Sequence, residues 1–269
     1  MTVAAYTEFA GLVRRRTGIV ISDDKQYLVD ARLTPYAQTG GYATVEALLR
    51  AVVAGRDARL LNLAVDAMTT NETLFFRDAT PFTALAAIMK RHAAAPNAAP
   101  LRIWSAACST GQEAYSIAMT AAEVRETHPD LKVEIVASDL SARCVERARQ
   151  GAYSQFEVQR GVSMHRLVRH FEQCDQSWRV RPVLSRDITW KVLNIMEPFT
   201  ALGVFDIVFC RNVLFYFDIA ERRSVLERIS RQLHRDGRLF LGVSENVLGV
   251  TQLFAQAKDG VGFTVIDRT

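Results

Sequence analysis

The sequence predicts an α/β protein in which a small all-α domain precedes a mainly parallel sheet, with a small antiparallel β-subdomain inserted into the sheet domain. Three observations support this prediction. Residues 1–68 show helical spacing and no strand pattern. From residue 101 onward, short apolar segments alternate with helical segments, which is typical of βαβ units. Residues 154–193 interrupt that alternation, and a chain of 269 residues is long enough for two domains.

The N-terminal domain, residues 1–70, is predicted to contain four short helices. Apolar side chains between Phe9 and Val13 have the spacing of a first helix. Asp23 and Gln26 resemble a capping box, which would begin the second helix. The other expected boundaries are Gly40–Gly41 at the end of the second helix, Thr44 as the cap of the third, Gly55 at its end, and a fourth helix over 57–68.

A helical linker over residues 71–100 joins this domain to a sheet domain over residues 101–269. The linker contains a helix from Phe82 to His92 and then an alanine- and proline-rich stretch. Because crossovers between parallel strands are right-handed, ligands are expected at the carboxyl ends of the strands. The strands are predicted at Leu101–Trp104, Val133–Ala137, Phe205–Phe209, Leu239–Leu241 and Phe263–Ile266, with helices over 112–125, 142–150 and 220–233.

The inserted β-subdomain, residues 154–193, contains two candidate strands. Trp178–Arg181 and Ile188–Val192 alternate like half-exposed strands of an antiparallel pair. The stretch 153–191 carries seven basic and four acidic side chains, and so holds most of the net charge of +4. A nucleic-acid binder usually shows a denser basic stripe. The charge by itself does not decide which class of partner it serves.

Composition and cysteine spacing exclude several classes of protein. No apolar run approaches the roughly 20 residues needed to span a bilayer. Residues 1–16 lack the apolar core of a secretory signal. The four cysteines have no paired spacing, so we expect neither a disulfide framework nor a metal site. Buried free thiols in a reducing cytosol are the expectation.

Polar residues at the ends of the first two predicted strands are candidates for ligand binding. Ser105–Gly111 follows the first strand and opens a helix, which is the position of a nucleotide-type ligand loop or of an ordinary turn. Glu113, just inside that helix, suits a cationic or hydroxyl-bearing ligand better than a pyrophosphate. Asp139 ends the second strand, where an acidic residue commonly accepts both hydroxyls of a ribose. It could instead cap the next helix, a role that Ser141 could also fill.

Two further segments combine polar and aromatic side chains. Cys210–Phe217 follows an apolar strand, so its polar groups are expected to face the ligand crevice. Within it, Tyr216 could face a cation or could pack in the core. Thr69–Asp78 joins the helical part to the sheet. Arg77 in that segment could bind a carboxylate bidentately or could be an ordinary surface residue.

Four motifs in this chain resemble those of the CheR-type chemotaxis receptor methyltransferases. They are Asn71–Arg77 (NETLFFR), Trp104–Ser116 (WSAACSTGQEAYS), Ser138–Leu140 (SDL) and Cys210–Phe217 (CRNVLFYF). Their order and spacing match the family over nearly the whole chain. The resemblance implies an N-terminal helical domain joined to a Rossmann-like S-adenosylmethionine-dependent methyltransferase domain, with a small inserted β-subdomain.

The resemblance also implies the reaction and the residues that perform it. The enzyme would methylate glutamate side chains in the cytoplasmic domain of bacterial chemoreceptors, leaving glutamate methyl esters and S-adenosylhomocysteine. It would be a cytoplasmic monomer that does not insert into the membrane. Arg77 and Tyr216 would position the reacting groups as catalytic residues. The cofactor would be bound by Asn71, Thr73, Arg77, Glu113, Asp139, Asn194, Ile195, Arg211 and Asn212.

Departures from the family pattern bear on the partner. In enteric relatives the second helix carries a dense basic cluster for an acidic receptor helix. Here Lys25 and Arg32 match that cluster but residues 34–38 do not, and Pro35 should disturb the helix. The join between the inserted strands, residues 174–184, is shorter than in relatives that bind a receptor C-terminal pentapeptide. This predicts receptor recognition without such a tether.

Two alternative functions differ from this one in testable ways. A nucleic-acid methyltransferase acting on base amino groups typically has an Asn/Asp-Pro-Pro-Tyr/Phe segment at a strand end, and residues 211–216 contain no proline. A catalytically silent adaptor that only senses S-adenosylmethionine would not need Arg77 or Tyr216. Both residues are present, which favours an enzyme.

Overall fold

The computed structural model describes residues 1–55 and 57–266, and the chain divides into two compact units. The first comprises Met1–Thr70 together with Tyr216–Glu221, and the second comprises Asn71–Phe215 and Arg222–Thr269. A short segment that follows a strand of the sheet thus belongs with the N-terminal helices. Across the described residues, no helix is both long and apolar enough to cross a membrane.

The first unit packs helices around one apolar core. The helices are α1 (Val3–Thr17), α2 (Gln26–Thr39), α3 (Val45–Val53) and α4 (Ala58–Met68). Each helix contributes buried side chains to this core, which supplies the hydrophobic stabilisation of the unit. Its buried members are Tyr6, Phe9, Val13, Val29, Leu33, Ala37, Leu48, Leu49, Val52, Leu61, Ala64, Val65 and Met68.

The helix boundaries in this unit test three local predictions. Thr44 caps α3 as predicted, since its Oγ1 accepts a hydrogen bond from the amide of Ala47 at 3.1 Å. The capping box predicted at the start of α2 is wrong, because a 3₁₀ turn over Asp23–Lys25 comes first and no side chain caps either element. The predicted disturbance at Pro35 does not end the helix, which continues to Thr39. A proline removes one amide donor and crowds the preceding turn, but the turns after it keep their hydrogen bonds.

Arg32 holds the carboxyl end of α4. Its Nη1 donates to the carbonyl oxygens of Met68 at 2.8 Å and Thr69 at 3.1 Å, and its Nη2 donates to Thr70 Oγ1 at 3.0 Å. A cation at a helix C-terminus satisfies unpaired carbonyls and is favoured by the helix dipole. Arg32 therefore has a structural role within its own unit, and its match to the receptor-docking cluster stays a prediction.

The second unit is built on a seven-stranded sheet in the order β6-β2-β1-β7-β8-β10-β9, with a separate three-stranded sheet in the order β3-β5-β4. The helices are α5 (Ala79–Ala93), α6 (Gln112–Arg125), α7 (Ala142–Gln150), α8 (Gln155–Gln159), α9 (Met164–His170), α10 (Pro182–Ser185) and α11 (Ile219–Gln232, begun in the first unit). The strands are β1 (Leu101–Ala106), β2 (Val133–Asp139), β3 (Ala152–Ser154), β4 (Phe171–Cys174), β5 (Ser177–Val180), β6 (Ile188–Val192), β7 (Phe205–Cys210), β8 (Leu233–Phe240), β9 (Phe254–Gln256) and β10 (Phe263–Val265).

The main sheet is parallel from β6 to β8, as predicted, and β10 is antiparallel to both of its neighbours. Ile103 of β1 lies in register with Ile135 of β2 and Ile207 of β7, and all three are buried. Apolar residues on central parallel strands are expected to be buried on both faces. The carboxyl ends of β1, β2, β6 and β7 consequently meet at one edge of the sheet.

The sequence interpretation of Ile188–Val192 needs correction. This segment is not part of an antiparallel insertion but forms β6, the edge strand of the main sheet, with Ile188 paired in parallel to Ile135. Period-two alternation identifies a half-exposed strand and says nothing of its partner. The separate antiparallel sheet is instead completed by β3, which begins at Ala152.

Ion pairs account for much of the positive charge predicted in the insertion. Three of its arginines pair with carboxylates that lie elsewhere in the second unit. The pairs are Arg160–Glu72, Arg166–Glu123 and Arg169–Glu126. Arg179, Arg186 and Lys191 are exposed.

Candidate functional site

The loop after β1 has an unusual backbone conformation. Ala107, Ser109 and Gly111 have φ values of 57°, 50° and 96°. Residues other than glycine rarely adopt such positive φ values. The amide of Cys108 donates to the carbonyl oxygen of Ser138 in β2 at 2.9 Å. The loop is thus fixed to the neighbouring strand.

Asp139 holds this loop through its carboxylate. Oδ2 accepts a hydrogen bond from the amide of Ser109 at 2.8 Å, and Oδ1 accepts one from the amide of Ser141 at 2.9 Å. The cap of α7 is Ser141, whose Oγ accepts from the amide of Cys144 at 3.1 Å. Asp139 is therefore not the helix cap, and the alternative assignment of that cap to Ser141 is confirmed.

Gly111 is required by packing within the protein. A Cβ at this position would lie 2.8 Å from the Cβ of Ala148, 3.0 Å from Tyr153 Oη and 3.1 Å from the ring of Trp190. These atoms belong to α7, β3 and β6. Glycine at this position therefore lets three elements of the second unit pack against the loop.

A buried ionic cluster joins β7 to α6 and to the start of α5. Arg211 follows β7, and its Nη1 lies 3.2 Å from Glu113 Oε2 while its Nη2 lies 2.6 Å from Asp78 Oδ2. Its Nη2 also donates to the carbonyl oxygen of Arg77 at 2.8 Å. Ser105 Oγ donates to Glu113 Oε1 at 2.8 Å. The exposed side-chain fractions are 1% for Arg211, 12% for Glu113 and 36% for Asp78.

The electrostatics of the cluster are net negative. Burial raises the pKa of Glu113, and the charge of Glu245 adds to that rise, while Arg211 and Ser105 oppose it. Arg211 is thus surrounded by carboxylates, and its Nε is buried without a hydrogen-bond partner within the described residues. Such a site favours a ligand that combines positive charge with hydrogen-bond acceptors. Among those same residues, no cluster of histidine, cysteine, aspartate and glutamate could hold a metal ion.

Phe75 anchors the segment that precedes α5. Its ring packs edge-on against Tyr153 at a centroid distance of 4.9 Å and against Phe171 at 5.5 Å. A Cβ on Gly161 would lie 1.9 Å from the carbonyl oxygen of Phe75, so only glycine permits this close approach. The segment is thereby fixed on the small antiparallel sheet and the turn after α8.

Arg77 lies between two residues with positive φ. Phe76 has a φ of 49° and Asp78 a φ of 57°. The amide of Phe76 donates to Ser116 Oγ in α6 at 2.9 Å, and Asp78 pairs with Arg211 after β7. Strained backbone that is held from several sides is typical of functional segments.

Two further contacts bring more of the predicted residues to this edge of the sheet. Ser109 Oγ donates to the carbonyl oxygen of Asn71 at 2.7 Å. After β6, the amide of Leu193 donates to the carbonyl oxygen of Asp139 at 2.9 Å, which places Asn194 and the buried Ile195 next in the chain.

The predicted site residues are divided between the two units. Tyr216 belongs to the first unit, where its carbonyl oxygen accepts a hydrogen bond from the amide of Val20 at 3.0 Å. The other nine belong to the second unit: Asn71, Thr73, Arg77, Glu113, Asp139, Asn194, Ile195, Arg211 and Asn212.

Glu245 is a residue at this edge that the sequence analysis missed. Its carboxylate accepts hydrogen bonds from four backbone amides, those of Asn212, Val213, Leu214 and Gly242. An acidic residue shortly after the predicted strand Leu239–Leu241 was the available indication, since polar residues there face the carboxyl edge of the sheet. Asp78, the ion-pair partner of Arg211, was also not among the predicted site residues.

Comparison with protein families covers nearly the whole chain. Residues 71–263 match the family model described as "CheR methyltransferase, SAM binding domain", and residues 4–69 match "CheR methyltransferase, all-alpha domain". The N-terminal match lies within the first unit, and the C-terminal match begins where the second unit begins.

Curated relatives give the same result. The chain is 43% identical over 260 residues to a "Chemotaxis protein methyltransferase" of Vibrio parahaemolyticus, covering 96% of this chain and 94% of that protein. It is 42% identical over 260 residues to a "Chemotaxis protein methyltransferase 1" of Vibrio cholerae, with the same coverage. Among solved structures, PKMT2 from Rickettsia typhi matches 64% of this chain and 26% of that chain at 18% identity and a TM-score of 0.38, which is too low to support an argument.

Proposed function

The chain belongs to the CheR methyltransferase family and is an S-adenosylmethionine-dependent methyltransferase, and we propose that it methylates glutamate side chains of bacterial chemoreceptors in chemotaxis. The observation that carries this proposal is the match of both family domains, which extends from residue 4 to residue 263. The net-negative cluster at the carboxyl edge of the sheet supports it, because the reactive group of the cofactor is a sulfonium cation.

The residues at this edge fit S-adenosylmethionine. Glu113 and Asp139 supply carboxylates for the amino group and the ribose hydroxyls, and Asn194 with Ile195 would border the adenine. The buried Nε of Arg211, which has no partner among the described residues, supplies a donor for an acceptor group. Asn71, Thr73, Arg77 and Asn212 complete the proposed set. When bound, the cofactor supplies an electrophilic methyl group.

The acceptor chemistry requires little from the protein beyond alignment. A glutamate side chain has an ordinary pKa of about 4.3 and is ionised at neutral pH. No general base is therefore needed to generate the nucleophile. The bound cofactor would supply the methyl group that this carboxylate takes as an ester, and its sulfur would be left as a neutral thioether, so that both charges would be neutralised. Alignment of two reactants can lower a barrier by roughly 7–11 kcal/mol.

Arg77 and Tyr216 are the proposed catalytic residues. The guanidinium of Arg77 can hold the incoming carboxylate in a fixed orientation. Its backbone is held on both sides by the contacts of Phe76 and Asp78. The hydroxyl of Tyr216 can donate a hydrogen bond to the acceptor carboxylate. The ester product removes one negative charge from the receptor, and signalling can depend on that change.

The proposed partner is the cytoplasmic domain of a chemoreceptor, recognised by a monomeric cytoplasmic enzyme without a C-terminal pentapeptide tether. The turn between β4 and β5 is short, with Asp175 and Gln176 between the two strands. This supports tether-independent recognition. Calorimetric titration with a receptor-tail pentapeptide should show no tight binding, and tight binding would contradict this part of the proposal.

Tritiated S-adenosylmethionine and membranes that contain the host's chemoreceptors provide the direct test. Wild-type enzyme should incorporate label that alkali releases as methanol, and Arg77→Ala should lose most of that activity. Lys90→Ala on the exposed side of α5 is a control that should retain it. Alkali-stable label in RNA would favour a nucleic-acid methyltransferase. Cofactor binding without turnover on any receptor would favour a silent sensor.

A further inference from the structure

The carboxylate of Glu245 connects the ends of two neighbouring strands through backbone hydrogen bonds. Oε2 accepts from the amides of Asn212 and Gly242, both at 2.7 Å, and Oε1 accepts from the amides of Val213 at 2.8 Å and Leu214 at 2.7 Å. A carboxylate has about four acceptor sites, and it only accepts when ionised. The acceptor sites of Glu245 are therefore occupied by backbone amides that follow β7 and β8.

The fit around this carboxylate is close. Asn212 has a φ of 60°, and the amides of residues 212–214 converge on one oxygen pair. Successive amides that converge in this way form an anion-binding concavity. A Cβ on Gly242 would lie 2.7 Å from Asn212 Nδ2 and 2.8 Å from Glu245 Oε2, so a side chain there would displace both groups.

The held segment connects the proposed cofactor residues to the proposed catalytic tyrosine. Arg211 precedes the three bound amides, Asn212 supplies the first of them, and the chain then enters a 3₁₀ helix over Leu214–Tyr216. The Glu245 carboxylate thus fixes the backbone that leads from the proposed cofactor residues to Tyr216. Since Glu113 and Asp139 approach from α6 and β2, the contacts of Glu245 affect only part of the cofactor site.

We propose that Glu245 is a positioning residue for methyl transfer, which holds the chain after β7 in the conformation that the reaction requires. This proposal rests on the proposed function. It assigns a role to a residue that would contact neither the cofactor nor the acceptor. The effect should fall on kcat more than on cofactor affinity, because misplacement of a reacting group by about 1 Å can cost roughly 100-fold in rate.

Glu245→Gln replaces one acceptor oxygen with an amide group that would face backbone donors. We expect kcat for receptor methylation to fall 10- to 100-fold, about the range for a misplaced group, with KM for S-adenosylmethionine changed less than about threefold. Glu245→Asp keeps the carboxylate on a shorter side chain and should recover part of the lost kcat. Hydrogen exchange of the amides of residues 212–214 should be faster in Glu245→Gln.

Asp206→Asn is the matched control, because Asp206 is a carboxylate on β7, the strand that the segment 212–214 follows. Asp206 lies near the amino end of β7, where its Oδ2 accepts from the amide of Arg102 at 2.8 Å. This variant should keep wild-type kcat and wild-type exchange at residues 212–214. The proposal is overturned if Glu245→Gln keeps kcat within about twofold, or if Asp206→Asn loses kcat equally. A wild-type enzyme that methylates no receptor would instead refute the proposed function, and the role in transfer with it.

Discussion

Replacement of Arg211 by methionine would remove the only arginine bonded to both Glu113 and Asp78 in the described structure. Methionine has a similar length, but it offers no charge and no hydrogen-bond donor. The Glu113 carboxylate would then keep Ser105 Oγ at 2.8 Å and lose its cation. We expect the second unit to lose stability, because a buried charge without a partner is costly.

The size of the effect follows from the exposure of each partner. The Asp78 side chain is 36% exposed, so solvent screens that pair and its loss should cost at most about 1 kcal/mol. Arg211 and Glu113 are 1% and 12% exposed, and breaking a buried pair of this kind costs about 3–5 kcal/mol. For a folding unit of this size, that loss lowers Tm by roughly 6–20 °C.

The pH dependence gives a sharper test. The folded-state pKa of Glu113 is raised by burial and opposed by Arg211. A carboxyl with a raised pKa stabilises the fold most below its unfolded pKa of about 4.3, and that stability is lost as pH rises through the folded pKa. Without Arg211 the folded pKa rises further. The destabilisation by Arg211→Met should therefore be larger at pH 8 than at pH 5.

Urea unfolding at pH 5 and pH 8 would measure the free energy of unfolding of the wild type, Arg211→Met, Glu113→Gln and the double variant. In the double variant, Glu113→Gln should recover most of the free energy of unfolding at pH 8, because no unpaired carboxylate remains there. A destabilisation that is independent of pH would contradict this account. So would a double variant that is no more stable than Arg211→Met.

Two other substitutions test packing and capping. Gly111→Ala should lower the free energy of unfolding in urea by about 2–4 kcal/mol, because it combines overpacking with a left-handed backbone. Gly249→Ala is the control: Gly249 has a φ of 73° but no atom within 4 Å of its Cβ, so this variant should cost only about 1–2 kcal/mol. Equal losses would show that packing against α7 is unimportant. Arg32→Ala should destabilise the first unit by about 1–2 kcal/mol, because the contacts to the carbonyl oxygens are lost. Lys25→Ala is the control and should leave the stability unchanged. If Arg32→Ala weakened receptor binding at unchanged stability, the role of Arg32 would be in docking.

Much of the fold was predictable because it depends on short-range patterns. Apolar spacing located the helices of the first unit, the longer helices α5, α6, α7 and α11 of the second, and the parallel strands β1, β2 and β7. Thr44 was recognisable as a cap from its own neighbours. The predicted buried thiols are also confirmed in part, since Cys108, Cys144 and Cys210 are free and buried while Cys174 is partly exposed. The strand β9 was not predicted, because only Phe254 of its three residues is buried and the segment shows no apolar alternation.

The sequence by itself determined the family, the cofactor class and the polar residues at strand ends, because these are carried by contiguous motifs. The tertiary structure decided which of those residues meet. Glu245 bonds to amides that lie about 30 positions earlier in the chain. Arg32 bonds to carbonyls at the carboxyl end of α4, and β6 pairs with β2 at an edge of the main sheet. Each of these contacts depends on proximity created by folding, which no local spacing encodes.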